Sequence, residues 1–382
     1  MNNIVQKHSS NKIEISYFFS IKNIVFDNIS SNEIYLLGEN GVGKTILLQA
    51  LFIALREQQN ALVQTIKEDN LKYQNRIDPN ILPSVTSVAK IKNVYAYGVY
   101  RNKIASSDRY SEDEYSTLFS TNADLLDPIA WLQKLHYQEL EEKQTGKKSE
   151  ERIELNTAIE FLTSLFEEEV FIEVSSKQVS FTEKRTTPLE FRQLSDGYKS
   201  VLIWVCDLIQ RMSEYQANVI KLQDFRGTVI IDELDLFLHP KWAYKIMEKL
   251  RGWFPNIQFI ISTHSPSLIL GASKDAIFYK VYKENGETKV TEPVSGISNL
   301  MANSIITSPL FDLEFAGTRE MKQDDFYKKE LDTSGHFNIY KIHQGVEKKI
   351  KAGRKEKNIQ ITESDIEKWV DEAIDEAERS LE

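Results

Sequence analysis

At 382 residues and 41% hydrophobic content, the chain can bury a large core, as one large domain or two. Its net charge of −10 argues against broad nonspecific affinity for DNA and leaves room only for a local basic groove on a dimer. A single cysteine excludes an internal disulfide, no apolar run reaches the roughly eighteen residues of a membrane span, and the polar start MNNIVQKHSSNKIEI lacks a signal-peptide core, so a cytoplasmic setting without membrane contact is expected.

Short β segments are expected over Lys12–Phe19 and Lys22–Phe26. Glu33–Leu37 (EIYLL) reads as a buried strand and Ile46–Leu55 (ILLQALFIAL) as a buried helix. Between them, Gly38-Glu39-Asn40-Gly41-Val42-Gly43-Lys44-Thr45 fits the pattern G-x-x-x-x-G-K-[ST] of a nucleotide-triphosphate loop. A strand, a glycine turn and a helix N-terminus aim several backbone N–H groups at one spot, and the helix dipole adds partial positive charge there. Lys44 would reach the terminal phosphates, and the Thr45 hydroxyl would coordinate Mg²⁺.

Asp127–Glu168 has a helical period. Trp131, Leu132 and Leu135 share one face, and Leu155, Ile159, Leu162 and Phe166 share another. The charged, glycine-broken EEKQTGKKSEER between them reads as an exposed turn, so a two-helix insertion is expected. Glu168–Phe181 reads as strand. Leu194–Lys199 (LSDGYK) precedes an apolar helix expected over Ser200–Ile209, with Cys206 as a small core residue. Ser195 and Gly197 at that helix start could make an anion site or an ordinary N-cap. Gly227–Glu233 (GTVIIDE) is a buried strand ending in two acids, at the carboxyl edge where open α/β sheets bind ligands. Asp232 would hold Mg²⁺, directly or through water, and Glu233 would polarise the attacking water. Gln258–His264 (QFIISTH) is another buried strand, and His264 could hydrogen-bond a γ-phosphate oxygen. Ala276–Val290 reads as strand.

In this order, GENGVGKT, LSDGY, VIIDE and STHS resemble the Walker A, signature, Walker B and switch-histidine segments of an ABC-type ATPase. The match covers roughly residues 12–60 and 185–270. The resemblance is closer to overcoming-lysogenisation-defect (OLD) and RecF-like ATPases than to transporter subunits. Asp196 stands where transporters usually have Gly, Tyr198 where they have Gln, and Leu234–Pro240 (LDLFLHP) looks like the OLD-type stretch after Walker B. His239 would then replace the usual D-loop aspartate. The Ala96–Arg101 segment (AYGVYR), with Leu118-Phe119, also looks like these ATPases. It offers no Q-loop glutamine, and Arg101 is either a candidate for that area or a solvent-exposed arginine.

The resemblance implies an α/β fold: an ABC-ATPase head with a mixed sheet flanked by helices, an antiparallel β subdomain, a helical insertion and a helical C-terminal region. The expected divisions are residues 1–120, 121–168, 169–315 and 316–382. It also implies ATP and Mg²⁺ as ligands and a head-to-head homodimer in which Ser195 and Gly197 of one copy cover the γ-phosphate held by Lys44 of the other.

The tail after His264 carries no D-x-D pair, so the Toprim nuclease chemistry of OLD nucleases is not expected. Ser295–Phe315 resembles the segment that follows the core in Toprim-less OLD-like ATPases. Gln323–Lys357 reads as a helix turning basic, and could meet nucleic acid or pair with the acidic helix Thr362–Glu382. Ile366, Trp369, Val370 and Ile374 form an apolar stripe on that last helix, either a docking face for a partner or packing on its own head. Such ATPases commonly work beside a separately encoded effector, often a nuclease, in anti-phage systems of the Septu or retron-linked type. A RecF-like repair ATPase is the alternative, ahead of a transporter subunit.

Overall fold

The structure is a computed structural model that describes residues 12–27, 29–56, 61–75, 83–87, 90–105, 115–146, 153–166, 170–183 and 187–297. In chain order, β1 (Ile13–Phe18), β2 (Ile21–Phe26) and β3 (Glu33–Leu37) lead into α1 (Lys44–Leu55). Then come α2 (Ala61–Asn75), β4 (Ser84–Ser87), β5 (Val94–Tyr97), α3 (Ser116–Phe119), α4 (Pro128–Thr145) and α5 (Leu155–Leu165). The second half runs β6 (Val170–Val174), β7 (Val179–Glu183), α6 (Asp196–Tyr215), β8 (Gly227–Ile231), α7 (Pro240–Trp253) and β9 (Ile257–Thr263). It closes with α8 (Pro266–Leu270), β10 (Ile277–Glu284), β11 (Glu287–Val290) and β12 (Val294–Ser295).

One ten-stranded sheet carries the fold, in the order β4-β1-β2-β11-β10-β3-β9-β8-β5, with β12 beside β10. The run β10-β3-β9-β8-β5 is parallel. β1 pairs antiparallel with β2 and β4, which makes one end of the sheet an antiparallel subdomain. β6 and β7 form a separate two-stranded sheet.

Alternation along the central strands divides the core into two layers. Tyr35 and Leu37 of β3, Val229 and Ile231 of β8, and Phe259 and Ile261 of β9 face one layer, which takes in α4, α5, α6 and α7. Ile34, Leu36, Ile230 and Ile260 face the other, built on α1 and the antiparallel strands. Strands buried on both faces need continuous apolar sequence, which is what β3, β8 and β9 have. The mixed sheet, flanking helices and antiparallel subdomain are those of the expected ABC-type head.

The insertion folds as two helices. Asp127 caps α4 by accepting from the Ile129 amide, Pro128 opens the first turn, and Gly146 ends the helix at φ 68. Trp131, Leu132 and Leu135 are buried, as are Leu155, Leu162 and Phe166, while Ile159 is partly buried.

Several elements differ from the sequence reading. The helix expected over Ser200–Ile209 runs over Asp196–Tyr215, because Ser195 caps it and the residues after Ile209 stay helical. The strands expected over Glu168–Phe181 and Ala276–Val290 are hairpins, β6–β7 and β10–β11. The second turns at Asn285-Gly286 with φ 52 and 82, the left-handed pair that matches strand twist in a two-residue turn. Helix α2 and strand β4 carry no signal that the sequence reading used. The segments Gln323–Lys357 and Thr362–Glu382, with the stripe Ile366, Trp369, Val370 and Ile374, lie outside the described residues, as does Ser295–Phe315 beyond Ile297. No helix among the described residues is long and apolar enough to cross a membrane.

Candidate functional site

Parallel register brings the motif ends together. Leu37 pairs with Thr263, Ile231 with Ile261, and Tyr97 with Ile231. The loops after β3, β9, β8 and β5 therefore leave the sheet at one carboxyl edge, where ligands bind in open α/β sheets.

The loop Gly38–Gly43 follows β3 and delivers Lys44 into α1. Gly43 sits at φ 107, and a Cβ there would strike the Thr288 side chain. Thr288 on β11 donates to the Val42 carbonyl at 2.9 Å and lies 2.8 Å from the Ser20 hydroxyl, so the edge hairpin braces the loop from outside. Glu39, Asn40 and Gly41 are exposed, and Gly38 and Val42 half-buried. No side chain caps α1 at Gly43, so its first amides are not spent on a side-chain oxygen.

Lys44 is 5% exposed and donates to the Gly38 and Glu39 carbonyls at 2.7 and 3.0 Å. It also pairs with Glu233 at 3.0 Å. Thr45 donates to Asp232 Oδ2 at 2.5 Å, and Ser262 donates to Asp232 Oδ1. Asp232 is 1% exposed. Burial raises its pKa, and the Ser262 and Thr45 hydroxyls oppose that rise. Thr45 Oγ1 and an Asp232 oxygen thus lie side by side, a hard-oxygen pair of the kind Mg²⁺ takes. Glu233 accepts at Oε2 from, or shares a proton with, His264 Nδ1 at 2.8 Å. Its own amide donates to Ser262 Oγ at 2.8 Å. The predicted residues Lys44, Thr45, Asp232, Glu233 and His264 therefore form one hydrogen-bonded group.

Ser195 and Gly197 stand apart from it. The Ser195 hydroxyl accepts only a 3.5 Å contact from the Tyr198 amide, and no hydrogen bond links either residue to the Lys44 group. Gly197 packs so closely on the Phe237 carbonyl that a Cβ would lie 2.6 Å from that oxygen. This contact joins the start of α6 to the segment after Walker B. Tyr198, beside it, meets the Trp242 ring edge-on at 4.0 Å and Phe166 at 4.9 Å.

One position gains a structural role and one open reading is settled. His239, read as a D-loop substitute, is the N-cap of α7: its Nδ1 accepts from the Lys241 amide at 3.3 Å, and Pro240 follows at the first helical position. Arg101 is not solvent-exposed. It is 1% exposed, and its guanidinium turns to the carbonyls of Gly98, Asp232, Glu233 and Leu234.

Residues that the sequence reading passed over complete the setting. Asp207 and Arg211, one turn apart on α6, form a buried ion pair at 2.6 Å. Asp207 also accepts from the Tyr97 hydroxyl at 2.8 Å and the Leu126 amide at 3.1 Å, tying α6 to β5 and to the insertion. Asp235 accepts from Thr263, and burial raises its pKa. Glu233, Asp235 and His264 offer ligand atoms within 4.8 Å of one another, but each carboxylate already has a partner in this group.

A family described as "AAA domain, putative AbiEii toxin, Type IV TA system" matches residues 100–270. The chain is 26% identical over 336 residues to Septu protein PtuA of Bacillus mycoides (strain KBAB4), covering 79% of this chain and 44% of that protein. It is 41% identical over 86 residues to the Retron Ec83 probable ATPase of Escherichia coli, covering 22% of this chain and 16% of that protein. The chain thus spans less than half the length of these relatives. Among solved structures, an Smc head bound to the C-winged helix domain of ScpA aligns with a TM-score of 0.44 at 12% identity, over 76% of this chain and 99% of that one. The four motifs of this chain stand in order, their P-loop and Walker B groups are hydrogen-bonded at one sheet edge, and over the shared stretches the chain is similar to the ATPases of Septu and retron systems.

Proposed function

We propose that this head binds ATP with Mg²⁺ and hydrolyses it between two copies of the chain, and that this cycle regulates a separately encoded effector in anti-phage defence. The joining of Lys44, Thr45, Asp232, Glu233 and His264 in one group carries the reading. The loop Gly38-Glu39-Asn40-Gly41-Val42-Gly43 cradles the phosphates with backbone amides. Lys44 neutralises them, and Thr45 and Asp232 hold the metal. Mg²⁺ bound there would neutralise charge on the phosphate oxygens.

Glu233 takes a proton from the attacking water. His264, held against Glu233, donates toward the γ-phosphate and keeps the carboxylate aimed. Ser195, exposed, and Gly197, buried beside it at the same helix start, both stand apart from this group and belong to the γ-phosphate of a second copy, so one chain alone leaves its site half-lined. The Septu and retron relatives support the defence setting; a nuclease as the effector, nucleic acid as a contact of the assembled complex and a cytoplasmic location belong to the same proposal.

Sedimentation of Glu233→Gln with and without ATP·Mg²⁺ tests the assembly. The expected result is a two-fold dimer only with nucleotide. A monomer at micromolar protein in saturating ATP would remove the composite site. Purification from the native host tests the effector: the expected product is this chain with a nuclease bound, and the chain alone should not cut DNA.

A further inference from the structure

Arg101 is an expensive residue to bury. Its guanidinium is desolvated, which brings its pKa down to about 10, and Nε has no hydrogen-bond partner. Among the described residues no carboxylate accepts from it, and its hydrogen bonds go to main-chain carbonyls: Nη1 to Gly98 at 3.0 Å and Asp232 at 2.7 Å, and Nη2 to Glu233 at 2.7 Å and Leu234 at 3.3 Å. Three of those carbonyls are consecutive, and the middle one belongs to the acid that meets Lys44 and His264.

Glu233 has φ 47, the left-handed region that a non-glycine residue adopts only where its surroundings impose it. On one side the Ser262 hydroxyl takes its amide, and the Asp232 amide donates to the Tyr97 carbonyl at 2.8 Å. On the other side the Glu233 carbonyl takes the Leu236 amide at 3.0 Å, and among the described residues Arg101 is the side chain that donates to the carbonyls of Glu233 and Leu234. Rotation of this turn toward extended backbone would swing the Glu233 carboxylate away from both Lys44 and His264.

The loop that carries Arg101 is itself fixed. The Gly98 amide donates to Thr117 Oγ1 at 3.1 Å, a Cβ on Gly98 would run into the Thr117 carbonyl, and Ala105 and Lys103 exchange backbone hydrogen bonds with Leu125.

We infer that Arg101 is a positioning residue for hydrolysis, whose fork clamps the strained turn after β8 and so aims the Glu233 carboxylate. This rests on the ATPase reading above. A lysine cannot replace it, because one ammonium on a flexible stem does not span three carbonyls as a planar fork does.

The test compares wild type, Arg101→Lys, Arg101→Ala, Glu233→Gln and the double variant Arg101→Lys/Glu233→Gln, in the full chain. ATP affinity is measured by calorimetry and turnover by phosphate release. Arg101→Lys should lower kcat by about tenfold to a hundredfold while ATP affinity stays within about threefold, since misplacing a reacting group costs rate and leaves the phosphate cradle intact. On the Glu233→Gln background the same change should cost little further, because its effect runs through that carboxylate. Arg101→Lys turning over like wild type overturns the inference alone. So does a loss of affinity that matches the loss of rate, or an undiminished effect on the Glu233→Gln background. If Arg101→Ala does not fold, Arg101→Lys is read; if neither folds, Arg101 is a folding residue and the positioning role is lost. A wild type that binds ATP without turnover overturns the hydrolysis reading and this inference with it.

Discussion

The two ends of the nucleotide machinery are built differently. At the edge after β3, β8 and β9, each charged group is answered within the chain: Lys44 by Glu233 and two carbonyls, Asp232 by two hydroxyls, Glu233 by His264. At the start of α6, Ser195 is exposed with one 3.5 Å contact, and the Asp196 side chain is 84% exposed and meets only Lys199, at 3.4 Å, among the described residues. Yet both ends rest on equally buried scaffold, with Val201, Leu202 and Trp204 of α6 as deep as Leu47 and Leu48 of α1. The Lys44 group is preorganised by its own neighbours, whereas Ser195 stands exposed on a rigid helix start.

The comparison breaks first at Lys44. Lys44→Ala should weaken ATP binding by about a hundredfold to a thousandfold, the scale of removing one partner of a buried charge pair. Calorimetry with Mg²⁺ checks it, and unchanged affinity would mean that the loop does not hold phosphate. Next, Glu233→Gln should keep ATP bound and slow turnover by about a hundredfold, the usual contribution of a general base. Phosphate release at the wild-type rate would place that role on another residue.

Ser195→Arg sharpens the contrast. Bulk and charge at an exposed helix start should leave ATP affinity alone and weaken ATP-driven dimerisation by at least about tenfold, read by sedimentation. Equal loss of binding would make Ser195 part of the chain's own site. The smallest effect is expected at Thr288→Val, which removes one hydroxyl bridging Val42 and Ser20. ATP affinity should fall only about threefold to tenfold, on the scale of one hydrogen bond of about 1 kcal/mol. No change would show that the loop holds its shape without that brace.

Much of the Lys44 group was legible because each motif is contiguous: an apolar strand, then its polar end, in the order the chemistry needs. The residues that hold those motifs in place were not legible. Arg101 grips main-chain carbonyls 131 to 133 positions away, and a carbonyl carries no residue type to recognise. Asp207 and Arg211 at helical spacing look like an ordinary surface pair, and only the layers packed around α6 make them a buried one. His239 is the opposite case. Its capping role was written locally, in a histidine followed by Pro240, but the resemblance assigned the position to another part. Asn285-Gly286 is likewise a readable hairpin turn inside the segment Ala276–Val290 that reads as strand.

The brace of Thr288 on Val42 also bears on how the protein is made. β3 takes its neighbours from β9 and β10, and the loop after it is propped by a residue 246 positions later. A ribosome emits the phosphate loop early, but the strands that fix it arrive near the end of the head. Closing so long a separation is slow and comes late in folding. The nascent chain should therefore gain its grip on ATP only after residue 290 has emerged, as the last act of head assembly. Nucleotide present during synthesis would then act on the finishing step, pulling completed heads out of a partly folded pool.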